Sequence, residues 1–390
     1  MAILLLAVIY ITFISLGLPD ALLGSAWPVM HKNLGVPLSY AGILSMTITA
    51  GTIISSFMSG KLIKKYGTGK LVLGCVILTV IGIFGFSISP SFVWLLVSAI
   101  PLGLGAGSID SALNNFVAVH YKAKQMSWLH CFWGVGATIG PNIIAFTMAE
   151  KNSWRMGYST VATVQGIIAL IIFSTLFLWK NMEKNDSEES KEEKNRTFFQ
   201  LLKVKGVKPA IFSFFAYCAA ESSIGLWGSS YLVSYKFIEP YTAAKWVSLF
   251  YMGIMTGRFL SGFVASRISV KKMIIGGILL TILGVILLVL PMPKYVVMIS
   301  FAIMGLGSAP IFPCMAHDTP RRFGIKTSQE VMGIQLGFAY MGVTFMPPFF
   351  GFLAGIGYLW IFPFFIICLL GMVFLCTERI NQIIKSREVR

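Results

Sequence analysis

FMSGKLIKKYGTGK, from Phe57 to Lys70, returns in altered form as FLSGFVASRISVKK, from Phe259 to Lys272, 202 positions further on. The same offset carries Gly51 onto Gly253 and Gly103-Leu104-Gly105 onto Gly305-Leu306-Gly307. An insertion between the matched blocks would have broken this register. A constant offset of about half the chain therefore predicts two halves of like order and orientation.

The 390 residues are 56% hydrophobic and 12% charged, whereas a soluble domain is about one quarter charged; mean hydropathy is +0.79. Such a chain belongs in a bilayer. Spanning the hydrocarbon takes about 20 apolar residues per helix, and the sequence offers twelve such runs, at 2–30, 38–62, 69–89, 92–119, 126–150, 157–179, 208–235, 241–266, 270–292, 295–317, 328–354 and 356–377. The expected fold is an all-α membrane protein of twelve transmembrane helices in two six-helix bundles, related as a pseudo-twofold parallel repeat. The N-terminal bundle occupies 1–179 and the C-terminal bundle, with a short cytoplasmic tail, 208–390. Between them, 180–207 contains KNMEKNDSEESKEEKNR, whose interleaved acids and bases leave little to bury and predict a solvated cytoplasmic linker.

The net charge of +16 does not point to nucleic acid, because the basic residues fall in short loops rather than on one soluble face. With Met1 inside, 24 of the 31 Lys and Arg lie on the inner side, six lie outside and Arg258 lies within a span. This bias predicts cytoplasmic termini in a multi-pass protein of the cell membrane. The first apolar run lacks a basic n-region, is too long for a secretory signal and carries Asp20, so it reads as a retained first helix. Cysteines 75, 131, 218, 314, 368 and 376 show no metal spacing and read as small apolar packing residues. No metal, cofactor or nucleic-acid partner is expected, and the chain is expected to be monomeric in the lipid bilayer.

Glycine and proline crowd the fourth, fifth, tenth and eleventh runs, as in Gly134, Gly136, Gly140 and Pro141. Small residues allow close helix approach, and proline bends a helix where neighbours can re-satisfy the freed carbonyl. Four ionisable groups lie inside the runs: Asp20, Asp110, Glu221 and Arg258. Each costs at least about 2 kcal/mol at bilayer centre, so each reads first as a functional group facing a wet interior. Asp20 falls in the outer half of the first run and Asp110 in the inner half of the fourth. A carboxylate in low-dielectric surroundings can hold a proton near neutral pH, so the two form a candidate proton relay; sodium coordination would use the same oxygens. In SIDSALNNFVAV, Asn114 shares a helical face with Asp110, and Asn115 adjoins it, which suits a hydroxyl-rich solute. His130 and Trp133 in WLHCFWGVG, Glu221 and Trp227 in AESSIGLWGSSY, and Gln335 and Tyr340 are further candidates for solute contact, since aromatic faces stack on sugar rings.

The repeated loop resembles the motif after spans 2 and 8 of the major facilitator superfamily, carried here by Gly60, Lys65, Gly67 and Lys70 and again by Gly262, Arg267 and Lys272. That motif has an Asp, then Arg, beginning four residues after its first Gly; here the pairs are Lys64-Lys65 and Ser266-Arg267. The resemblance implies that Gly60, Lys65, Gly67, Gly262 and Arg267 belong to loops that switch conformation. Around Asp110 the chain is similar to span 4 of the fucose permease type of proton symporter, with Asp110, Asn114, Phe116 and Val117 matching and Asp replacing Glu. PDALLGSAWP resembles the same family's Asp-x-Leu-Leu pattern at Asp20, although Gly17 and His130 stand where the family has Asn and Gln. The resemblance implies uptake of a sugar or polyol with protons, Asp20 coupling the proton and Asp110 linking protonation to sugar binding.

Three other readings stand beside this one. Gly136-x3-Gly140-Pro141 resembles the motif of efflux antiporters for lipophilic cations, with Ile144-Ala145 where that motif ends in two glycines. A membrane transferase would need catalytic spacing; the nearest group, His317-Asp318, reads as a helix cap, so no enzyme activity is expected. A non-transporting sensor would need an output domain larger than the linker.

Overall fold

The structure, a computed structural model, describes residues 2–121, 123–183, 198–264 and 267–388, and no strand occurs among them. The helices are Ala2–Asp20 (α1), Leu22–Asn33 (α2), Tyr40–Tyr66 (α3), Thr68–Ser87 (α4), Phe92–His120 (α5), Ala123–Lys151 (α6), Trp154–Ser174 (α7), Leu176–Glu183 (α8) and Phe198–Leu202 (α9). There follow Val207–Tyr235 (α10), Pro240–Val264 (α11), Val270–Val289 (α12), Lys294–Ser308 (α13), Ile311–His317 (α14), Thr319–Phe323 (α15), Ile325–Leu353 (α16) and Phe362–Glu388 (α17). Ten segments among the described residues are long and apolar enough to cross a membrane. Two of the twelve expected runs do not stand out separately. The Pro240–Val264 helix is not among the ten, and the last two runs join in one 54-residue segment, Val331–Ile384. That segment is interrupted near Gly357, whose φ of 97° leaves helical geometry.

The chain divides into two compact units, one of Met1–Glu189 with Gly228–Met252, the other of Ser190–Trp227 with Gly253–Arg390. The most highly charged part of the expected linker, 184–197, lies outside the described residues; its flanks are helical, as α8 and α9. All six cysteines are free thiols within helices.

In the first unit a core of Leu5, Ile9, Phe13, Val76, Phe116 and Trp179 draws α1, α4, α5 and α8 together. Within it, the expected first span is two helices, broken at Ala21. Pro19 has no N–H to give the Ser15 carbonyl one turn earlier, and in a bilayer that oxygen has no water to turn to. Gln165 of α7 supplies the missing donor: its Nε2 reaches Ser15 O at 2.6 Å, while its Oε1 accepts from Thr79 Oγ1 of α4 at 3.0 Å. Gln165 is 1% exposed, so a glutamine on the sixth span satisfies a carbonyl of the first.

The glycines of the 202-residue repeat mark helix crossings. A Cβ on Gly103 (α5) would collide with the Ile48 carbonyl of α3, and one on Gly253 (α11) would lie 2.5 Å from the Ala302 carbonyl of α13. The backbones meet there, which only small residues permit.

In the second unit, Asp318 corrects an expectation. It lies between α14 and α15 and makes no side-chain cap. Its Oδ2 instead accepts from Arg322 Nε at 2.6 Å, and the residues are 8% and 4% exposed. Two opposite charges one turn apart, both removed from water, are drawn to each other far more strongly than to the helix end.

Two thermal-unfolding measurements on the purified chain check this account. Gln165→Leu strands the Ser15 carbonyl and is expected to cost about 1–3 kcal/mol, whereas Gly74→Ala, at an exposed helical site with open space around it, leaves the midpoint unchanged or raises it. Asp318→Ala removes the carboxylate 2.6 Å from a buried guanidinium and is expected to cost about 3–5 kcal/mol; an unchanged midpoint would show that the pair is not structural.

Candidate functional site

The α1/α6 crossing in the first unit brings together three of the expected site residues, Asp20, His130 and Trp133. A Cβ on Gly17 would collide with the Trp133 carbonyl, and one on Gly136 with the Ile14 carbonyl, so the two helices touch through backbone. This explains Gly17 physically: an Asn there has no room. The same contact sets Trp133 opposite the end of α1. Its indole Nε1 donates to Asp20 Oδ2 at 2.7 Å, a charge-assisted bond of the short, strong kind. The indole also meets Tyr251 edge-on, with ring centroids 6.4 Å apart. Asp20 is therefore the last residue of a proline-broken helix; it remains exposed and carries an aromatic partner. Along the same crossing His130 meets Phe13 edge-on at 5.8 Å, and Tyr10 stacks on Phe132 at 4.6 Å.

Gly140 belongs to this crossing too, since a Cβ there would collide with the Leu18 carbonyl. Close packing of α6 on α1 accounts for the Gly136-x3-Gly140 pattern that had suggested an efflux motif.

On α5, Asn114 Nδ2 donates to Asp110 Oδ1 at 2.9 Å and also meets the Asp110 carbonyl at 3.0 Å. The one-turn spacing brings acid and amide together on a half-buried face, and Asn115 is exposed. In the second unit, Glu221 Oε1 (α10) lies 3.6 Å from Arg258 Nη2 (α11), with side chains 17% and 15% exposed. One turn before Glu221, Tyr217 donates to the Ser308 carbonyl at the end of α13, at 2.9 Å. Charge compensation thus accounts for Arg258 inside a span.

Two candidate contact residues are held by bonds within the second unit. Trp227 is fully buried, and its Nε1 donates to the Pro347 carbonyl at 2.8 Å while its ring meets Phe350; the indole ties α10 to α16. Gln335, 1% exposed, accepts from Thr319 Oγ1 at 3.1 Å and ties α16 to α15. Tyr340, two turns from Pro347 on α16, is half-buried.

The repeated loop is shorter than its motif suggests. Gly60 lies within α3 and Gly262 within α11, so the first half of each copy is helix. Gly67 alone joins α3 to α4, at φ 81°, a conformation that favours glycine. The Lys65 ammonium sits 5.1 Å from the centroid of the Tyr66 ring, within cation–π range. Arg267 is exposed, its N–H bonded to the Val264 carbonyl.

Sequence reasoning missed Gln165 and the Asp318–Arg322 pair. A lone glutamine in VQGIIALIIF was the available signal for the first; the second needed its (i, i+4) spacing read across a helix break.

Comparison with known proteins agrees with this architecture. The family model for the Major Facilitator Superfamily matches residues 9–244 and 238–380. The chain is 28% identical over 203 residues to "Bypass of stop codon protein 6" of Saccharomyces cerevisiae, covering 45% of this chain and 40% of that protein. It is 27% identical over 195 residues to the glucose/mannose transporter GlcP of Bacillus subtilis, covering 48% and 47%. The matches thus span about half the length of these relatives, or less. Among solved structures, a mutant of the nucleoside transporter NupG superposes over 96% of this chain and 98% of its own, at 12% identity and a TM-score of 0.75, which shows the shared fold. With ten membrane-length apolar segments and a family match over most of its length, the chain is a multi-pass integral membrane protein of the cell membrane and belongs to the Major Facilitator Superfamily.

Proposed function

We propose that the chain is a secondary active transporter, not an enzyme, that takes up a sugar or related polyol with protons by alternating access. Counting Val331–Ile384 as two spans and adding Pro240–Val264 gives twelve, in bundles over 1–179 and 208–390 joined by 180–207, with both termini cytoplasmic. The observation that carries the reading is the Asp20–Trp133 hydrogen bond of 2.7 Å. A carboxylate that accepts from an indole links one acid's protonation to the placement of one aromatic face, the kind of face on which a sugar ring stacks. Protonating Asp20 weakens that charge-assisted bond and frees the indole to move with the solute. Asp110, bonded to Asn114, is the second acid, with its amide available to exchange partners with a hydroxyl. Glu221, His130 and Tyr340 complete the proposed set. The glucose/mannose transporter among the relatives supports a sugar as the solute class.

Uptake of labelled glucose into proteoliposomes under an inward proton gradient tests the reading. Asp20→Asn and Asp110→Asn are each expected to abolish uphill accumulation, with at least one still exchanging solute across the membrane at equal concentrations. Uphill uptake at the native level in both variants overturns the coupling assignment, and failure of the unmodified protein to accumulate any hexose overturns the symport. Trp133→Phe keeps an aromatic face but removes the donor. Loss of one charge-assisted hydrogen bond, about 1.5–3 kcal/mol, predicts a fall in kcat/KM of about ten- to a hundredfold, measured as initial rates of glucose exchange.

A further inference from the structure

The short α9 helix and the turn after it form a built feature for which the transport reading has no use. Leu201 and Val207 are 3% and 0% exposed and pack with Ile211 and Val331, with Leu202, Val204 and Phe323 against them. The turn is tied by Val204 N–H to the Leu201 carbonyl at 3.0 Å and by Val207 N–H to the Val204 carbonyl at 3.1 Å; Gly206 within it has φ 95°. With the apolar residues held inward, Lys203, Lys205 and Lys208 are all exposed. They line a cleft of about 510 Å³ together with Phe199, which is 75% exposed. The apolar span begins at Val207. Lys203 and Lys205 thus precede the first residue of that span and Lys208 follows it, with an exposed aromatic ring in the same cleft.

We propose that this cleft binds the phosphate-bearing headgroup of an anionic phospholipid. Charge complementarity selects the anion. The position selects its source, because lysines at the end of a span lie at headgroup level and an exposed phenylalanine at that level inserts among acyl chains. The orientation proposed above puts the cleft at the cytoplasmic leaflet, where an anionic lipid would brace the segment connecting the two bundles. A free phosphate offers the lysines the same charge but gives Phe199 nothing to enter.

The test uses the purified full-length chain in neutral detergent, where neither orientation nor transport enters, and reads lipid binding by native mass spectrometry and the thermal midpoint. Palmitoyl-oleoyl phosphatidylglycerol is expected to bind and to raise the midpoint, while the matching phosphatidylcholine and inorganic phosphate do neither. A lysine near an anionic surface is worth about fivefold in affinity, so combining Lys203→Gln, Lys205→Gln and Lys208→Gln is expected to weaken phosphatidylglycerol binding on the order of a hundredfold. The corresponding triple change to Arg keeps it. If the triple Gln variant cannot be recovered, each single variant is expected to lose about fivefold. Native-level phosphatidylglycerol binding by the Gln variants overturns the site, and inorganic phosphate matching the lipid's effect overturns the lipid as its occupant.

Discussion

A helix broken inside a bilayer must find a protein partner for the carbonyls it exposes, and this requirement organises both units. Pro19 breaks the first span and leaves the Ser15 carbonyl to Gln165 at 2.6 Å. In the second unit, helix α13 stops at Ser308, just before Pro310, and the Ser308 carbonyl takes the Tyr217 hydroxyl at 2.9 Å. Each break is sealed by a buried side chain from another helix, so the position of each break is fixed by packing some distance from it. Asp20, one residue after Pro19, inherits that fixity. Its carboxylate can face Trp133 because the chain ahead of it is held.

The two seals also show how the duplication has been kept and altered. Ser15 and Tyr217 are 202 positions apart, as are Thr79 and Thr281. In the first unit Thr79 reaches the Ser15 carbonyl through Gln165. In the second, Thr281 Oγ1 lies 3.4 Å from the Ser308 hydroxyl, and the polar link is completed by Tyr217 itself. Equivalent positions carry the link while the donor has moved from a third helix onto the repeat position. The membrane charges follow no such equivalence: Asp20 corresponds to Ser222, whose hydroxyl bonds back to the Cys218 carbonyl at 2.7 Å, and Asp110 corresponds to Phe312. Backbone crossings and buried polar links recur, and ionisable groups do not.

That contrast explains what was legible in the sequence. Ten membrane-length segments and the crossings were, because hydrophobic length and glycine spacing are local signals: Gly103 and Gly253 were found by register alone, and both lie where helix backbones meet. The Asp110–Asn114 pair was legible for the same reason, both groups being on one helix. The bond from Trp227 to Pro347 was not legible, because its partner lies 120 residues away. A deep aromatic looks the same in sequence whether it faces a cavity or caps a distant carbonyl. Asp318 was misread because the break before α15 hides its helical spacing to Arg322, and charge pairing in a dry site outweighs capping.

Gly17 joins these strands. In the resembling family an Asn stands there, one turn before the acid, and in this chain backbone contact with Trp133 excludes any side chain. The bare Gly17 lets α1 and α6 touch through backbone, and on that same crossing the Trp133 indole N–H reaches Asp20 at 2.7 Å. An acid hydrogen-bonded from a neighbouring helix senses helix displacement in a way that one bonded within its own turn cannot, since sliding α6 along α1 breaks the first contact and leaves the second intact. Asp110, bonded to Asn114 on its own helix, is the second kind. Of these two acids, Asp20 therefore has a hydrogen bond that depends on the packing of α6 on α1, and Asp110 has one that does not.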